Sequence, residues 1–163
     1  MGKRPDRFEE TVLLLAGKLR NRCYAFRGTV SLVLQGLDMN VDDIDILADQ
    51  KTALASNRLL KEFLVKKTVF SQSDRFKSFF GQFCLNDVPV EVMGNWQIKD
   101  LKGNWSRVYK AAPEERKEID LQGKRVFVTT IETEIEMFTK MGRWQALNKI
   151  KKQWQTRQQQ SLF

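Results

Sequence analysis

Three acidic residues and one glycine turn carry the chemistry legible in this chain. Asp43 and Asp45 stand two apart in Asp43-Ile44-Asp45-Ile46, Glu91 lies in Val90-Glu91-Val92, and Arg27-Gly28-Thr29-Val30-Ser31 precedes both. Side chains two apart on a strand share a face, so Asp43 and Asp45 project together while Ile44 and Ile46 enter the core. Two carboxylates so placed can bracket a hard cation such as Mg2+ or Mn2+, which takes oxygen ligands and keeps positions for water or phosphate. Val88, Val90 and Val92 share a face, which sends Glu91 to the other one, where it can join the pair. A carboxylate midway along an apolar strand is costly to bury unless paired or metal-bound, although Pro89 equally fits an edge strand with one wet face.

Gly28 sits at a strand-to-helix turn, where the missing Cβ lets the backbone approach a ligand closely. The helix opening at Thr29 presents free N–H groups and a positive dipole end, a setting for phosphates to which the Thr29 and Ser31 hydroxyls can add hydrogen bonds. A glycine used only to turn the chain, with Thr29 as a helix cap, is the plain structural alternative.

The elements that must position these residues follow from periodicity. Phe8, Val12, Leu15 and Leu19 predict an amphipathic helix over 6–21 with Asp6 as N-cap. A strand at 23–26, a short helix at 29–34 stopped by Gly36, and a strand at 43–48 come next. Asp49 caps a helix over about 50–65 with the stripe Leu54, Leu59, Phe63 and Leu64. Thr68-Val-Phe, 76–85 and 88–93 read as strands, the last two joined at Asn86-Asp87 into a hairpin. Residues 94–115 read as loop with room for one short helix, and a second hairpin, 116–121 and 124–129, turns at Gln122-Gly123. Thr129 with Glu132 forms a capping box for a helix through Ile131, Ile135, Phe138 and Met141. Gly142 separates it from a last helix carrying Trp144, Leu147, Ile150 and Trp154, and the basic, Gln-rich tail Lys149 to Gln160 reads as a fraying end, with a solvated basic helix contacting a partner as the alternative. Trp96, Trp105, Trp144 and Trp154 are expected in core or partly buried positions.

Composition narrows the chemistry. The chain has 163 residues and no histidine, which excludes a Ser-His-Asp or Cys-His nucleophile and any His-ligated zinc. Catalysis must run on carboxylates, Lys, Arg, hydroxyls and a bound ion. Cys23 and Cys84 are isolated and make neither a disulfide framework nor a metal knuckle. No apolar run approaches the ~20 residues of a membrane span, and the basic N-terminus does not read as a signal peptide, so a cytoplasmic protein is expected. A net charge of +8 favours an anionic partner such as a nucleotide or RNA.

The order of the pieces is the specific signal: Gly28-Thr29, Leu34-Gln35-Gly36, Asp43 to Ile46, then Val90 to Gly94. It resembles the nucleotidyltransferases of the DNA polymerase β superfamily, above all their small stand-alone members, over about residues 22–150. The resemblance implies an α/β chain of the α+β nucleotidyltransferase type. A mixed sheet flanked by helices would form one domain over 1–163, with its core at about 22–130 and C-terminal helices at about 130–155. It also implies transfer of a nucleoside monophosphate from a nucleoside triphosphate (NTP) to a hydroxyl of RNA, protein or a small molecule, with release of pyrophosphate. In that scheme Asp43 and Asp45 hold Mg2+ (or Mn2+), and Glu91 helps place a second ion and activates the acceptor. Gly28, Thr29 and Ser31 cradle phosphates, and Lys140 and Arg143, from a segment resembling a Lys…Arg element of related members, neutralise the leaving charge, as Arg27 could. Two departures stand out: no basic residue lies between Gly36 and Asp42, and Glu91 replaces the commoner Asp. The alternatives are a non-catalytic nucleotide- or RNA-binding relative, or one component of a toxin–antitoxin pair with a protein partner.

Overall fold

A computed structural model describes residues 6–160; the basic segment 1–5 and residues 161–163 lie outside the described residues, as does the side chain of Asp6, the expected cap. Helix α1 spans Asp6–Lys18. Strand β1 (Tyr24–Arg27), the short helix α2 (Thr29–Leu34), β2 (Ile44–Ala48) and α3 (Gln50–Leu59) follow, then β3 (Leu64–Gln72), β4 (Phe76–Leu85) and β5 (Val88–Ile98). Strands β6 (Arg116–Leu121) and β7 (Lys124–Thr129) and helices α4 (Ile131–Met141) and α5 (Trp144–Gln160) complete the chain. Among the described residues no helix is long and apolar enough to cross a membrane.

All seven strands form one mixed sheet in the order β3-β4-β5-β2-β1-β7-β6. Neighbours are antiparallel except β2 with β5 and β1 with β7. One face buries Tyr24, Phe26, Ile44, Ile46, Val90 and Val92 beneath Val12 and Leu15 of α1 and Ala53 of α3. Ile44 and Ile46 are fully buried, each worth ~1.5–3 kcal/mol relative to exposure. A one-residue slip of β2 would take both out of this core and drive aspartates into it, so the facing of Asp45 is locked by its neighbours. The opposite face carries Ala25, Leu47, Met93 and Ile98 under Tyr109 and Met137. Helices α2, α4 and α5 meet at Leu32, Ile131, Phe138, Leu147 and Ile150.

Both hairpins turn where expected: Asn86 and Asp87 have φ of 53° and 62°, and Gln122 and Gly123 have 53° and 80°, so each pair supplies the two positive φ values that match strand twist. Gly142 closes α4 in the left-handed conformation.

Six expectations need correction. Helix α1 stops at Lys18 rather than residue 21, because the Arg20 and Arg22 amides turn back onto Gly17 and Leu19. Helix α3 stops at Leu59, and Leu64, assigned to its stripe, begins β3. Its buried face is Thr52, Ala53 and Ser56 while Leu54 is exposed, because α3 lies so close to the sheet that Gly94 has no room for a Cβ against Ala53. Strand β5 runs on to Ile98, its far end held by the Trp96 and Tyr109 backbones. The cap of α4 is Thr130, whose hydroxyl accepts the Thr133 amide, and Thr129 stays in β7. The tail does not fray before Gln160: α5 continues through it, anchored by Leu147 and Ile150 and by Gln153, which bonds both the amide and the carbonyl of Asp38. Trp144, placed among the packed tryptophans, is 51% exposed at the start of α5.

Candidate active site

Register assembles the site. Arg27 of β1 stands opposite Asp45 of β2, Asp45 opposite Glu91 of β5, and Glu91 opposite Gln82 of β4. Residues directly opposite one another share a face, so the four form a polar row across the sheet, on the face away from Ile44, Ile46, Val90 and Val92. Glu91 is on an interior strand, not the edge strand that Pro89 allowed. Asp43 lies one residue ahead of β2, in the bend that feeds it, and is half-buried.

The row is electrostatically loaded. Burial pushes the Asp45 carboxyl up to about 7; Arg27 pulls against this, while the charges of Asp43, Glu91 and Glu134 add to it. Arg27 Nη1 is 3.5 Å from Asp45 Oδ2, and the Gln82 amide donates to Glu91 at 3.4 Å. Four carboxylates, Asp43, Asp45, Glu91 and Glu134, against the one cation Arg27 are under-compensated, which is the condition a bound cation relieves. Among the described residues no three acidic side chains converge as a ready-made metal cage; they form a strip along the sheet.

Gly28 closes β1 with φ 73° and ψ −151°, a conformation open essentially to glycine alone. A Cβ there would also sit 3.1 Å from Asp45 Oδ2, so the turn and the carboxylate press on one another. Gly28→Ala should therefore cost about 1–3 kcal/mol in backbone strain, lowering the melting temperature by roughly 3–10 °C, and displace Asp45. Thermal unfolding with parallel NTP titration checks this; an unchanged Tm would remove the constraint ascribed to the turn.

Glu134, in the first turns of α4, is a residue that sequence reasoning missed. It is fully buried, accepts the Gly28 amide at 2.9 Å and the Thr129 hydroxyl at 2.5 Å, and faces Arg27 at 3.6 Å. The Gly28 amide, expected to meet phosphate, is thus already bonded to a carboxylate. Arg27 is likewise engaged: it is buried between Asp45 and Glu134 with its guanidinium 4.6 Å from the Trp96 ring centroid. Its charge is felt at Asp45. The detectable signal was position: Ile131, Glu134 and Phe138 fall at i, i+3 and i+7, so a charge sits on the apolar stripe of α4.

The remaining candidates separate. Thr29 is half-buried at the helix opening. Ser31 is turned inward, fully buried, and its hydroxyl donates to the Thr129 carbonyl at 3.0 Å while accepting from Gln35 at 3.0 Å. It ties α2 to β7 and has no hydrogen left for a phosphate. Lys140 lies about 9 Å further along α4 than Glu134, from the helical rise, and Arg143 follows the end of that helix with its guanidinium carbon 5.2 Å from the Phe138 ring centroid. That end of α4 docks elsewhere: Arg75 donates to the Met141 carbonyl, Gly142 meets Leu101, and the Lys140 charge is felt at Asp100 and Glu136. The charge of Lys140 is thus met by Asp100 and Glu136, and Arg143 packs on Phe138.

No protein-family model matches the chain, and no curated protein sequence matches it. Solved structures do. A candidate nucleotidyltransferase from Thermotoga maritima superposes with a TM-score of 0.77 at 25% identity, over 95% of this chain and 96% of that one. The chain has the nucleotidyltransferase fold. A lincosamide antibiotic adenylyltransferase with lincomycin bound has a similar fold at a TM-score of 0.54 and 12% identity, over 90% of this chain and 96% of that one. In this nucleotidyltransferase fold the row Arg27–Asp45–Glu91–Gln82 lies beside the glycine turn, at the junction of β1 with α2.

Proposed function

We propose that the protein is a metal-dependent nucleotidyltransferase that moves a nucleoside monophosphate from an NTP to a hydroxyl acceptor. The observation that carries this reading is Asp45 directly opposite Glu91 on adjacent parallel strands, beside the Gly28 turn, in a chain with this fold. The donor set fits Mg2+ or Mn2+: hard oxygen ligands, with the Asp45 carboxyl pushed up to about 7 by burial and by the neighbouring charges of Asp43, Glu91 and Glu134, which a cation would offset. Asp43 and Asp45 would hold the ion, with Glu91 beside them, and once bound it supplies charge neutralisation to the triphosphate.

The rest is the work of the chain itself. The Thr29 hydroxyl and the free amides opening α2 orient phosphate oxygens. Glu91, steadied by Gln82, takes the proton of the acceptor hydroxyl as its oxygen bonds to the α-phosphorus. The bond from that phosphorus to the β-phosphate bridging oxygen breaks, and pyrophosphate leaves. Arg27, held from behind by Glu134, limits how strongly the fold resists ionising Asp45.

Calorimetric titration with each NTP, with Mg2+ or Mn2+ and in EDTA, tests the reading. Binding should require the ion, since triphosphate and carboxylates otherwise repel; equal affinity in EDTA overturns the metal site. Incorporation of α-labelled NTP into RNA, protein and small-molecule acceptors then tests transfer. Ion-dependent binding without transfer to any acceptor would favour a nucleotide-binding relative, a reading to which the occupied Gly28 amide already lends some weight.

A further inference from the structure

A basic concavity lies away from the acidic row. Tyr24, at the start of β1, lines it, about 10 Å of strand from Arg27 at the other end. This groove of about 790 Å3 has an apolar floor of Leu13 and Ala16 from α1 with Tyr24 and Phe127. Arg20 and Arg22, in the turn after α1, form one rim, and Arg116, Lys124 and Arg125, on β6 and β7, form the other. Among the described residues, Arg125 alone of these five meets a carboxylate, Glu118 at 2.9 Å. Arg116 donates to the Tyr24 carbonyl at 3.0 Å, and its guanidinium carbon lies 3.8 Å from the Phe127 ring centroid.

We infer that this groove binds single-stranded nucleic acid, distinct from the nucleotide site. Cations gathered over an apolar floor repel one another until an anion enters. Charge on two opposed rims suits an extended chain of phosphates better than one compact anion. The stacked Arg116 supplies what an acidic peptide would not use: a guanidinium laid on a ring leaves its outer face for a base. Groove binding does not depend on the transfer reaction.

Fluorescence anisotropy with a labelled single-stranded 12-mer RNA, on the full chain without NTP or divalent ion, tests it. Engagement of about four phosphates predicts a slope of log K against log salt near −3. Replacing Arg20, Arg22 and Lys124 together by Ala should weaken binding at least tenfold. The fold should survive, since among the described residues these side chains make no hydrogen bond or ion pair; a circular-dichroism melt verifies that. Arg116→Lys, which keeps the charge and removes the stack, should also weaken binding, and duplex RNA should bind less well. Wild-type affinity in a folded triple variant overturns the inference. So does displacement of RNA by polyglutamate at equal charge, which would assign the groove to an acidic protein, or by ATP alone at micromolar concentration. RNA binding without nucleotidyl transfer leaves the groove standing, whereas transfer with RNA binding insensitive to the triple variant removes the groove and keeps the enzyme.

Discussion

Asp45→Asn should abolish nucleotidyl transfer while leaving the protein at least as stable as the parent. The amide keeps the shape but loses the charge that would hold an ion, and transfer should fall by roughly 10^2–10^3-fold or more, the scale of removing one charge-stabilising group. Stability moves the other way. The folded-state pKa of about 7 exceeds the ordinary 3.8, so between these values the native state binds a proton more tightly than the unfolded chain does. Stability contributed by the protonated form is therefore present below about pH 4 and is lost as pH rises towards 7. The whole shift corresponds to about 4 kcal/mol, an upper figure because the side chain is 20% exposed. The Asn variant has no charge to acquire, so its advantage over the parent should grow from pH 5 to pH 8 in metal-free buffer. Melts at both pH values check this. A variant less stable than the parent at pH 8 would make Asp45 a structural partner of Arg27, and normal turnover would end its catalytic role.

Glu134→Ala should damage the fold and the site together. It strips a fully buried carboxylate from Arg27, itself 6% exposed, leaves the Gly28 amide without its acceptor, and turns the Thr129 hydroxyl back to the Ser31 hydroxyl and the Phe26 carbonyl. Breaking a buried pair from one side costs about 3–5 kcal/mol, because the surviving charge stays buried. Glu134→Gln retains an acceptor for Gly28 and should cost less, but it releases Arg27 wholly to Asp45. That pairing should weaken ion-dependent NTP binding, which a fold defect alone would not do in a variant that melts near the parent. Denaturant unfolding of both variants with NTP titration of the Gln form separates the effects. An Ala variant within about 1 kcal/mol of the parent would refute the keystone role of Glu134.

Local chemistry was legible where neighbours in sequence are neighbours in space. The two hairpin turns followed from residue types that tolerate positive φ, and the outward facing of Asp45 and Glu91 followed from the alternation of valines and isoleucines around them. The nucleotidyltransferase fold followed from the order of those short strings. Tertiary structure decided the rest. That Asp45 and Glu91 lie side by side depends on β2 pairing in parallel with β5 across two intervening strands. Helix α3 turns Ala53 rather than Leu54 to the sheet because of a close approach at Gly94 that no local pattern encodes. Ser31 faces Thr129 rather than a ligand because β7 returns alongside β1 about a hundred residues later. Glu134 reaches Gly28 across 106 positions, and it could be read only as a misplaced charge until the fold supplied its partners. Periodicity reports which face of an element is buried; what a buried polar group meets there is decided by elements distant in sequence, because burial makes every unmet hydrogen bond and charge seek a partner wherever the chain brings one.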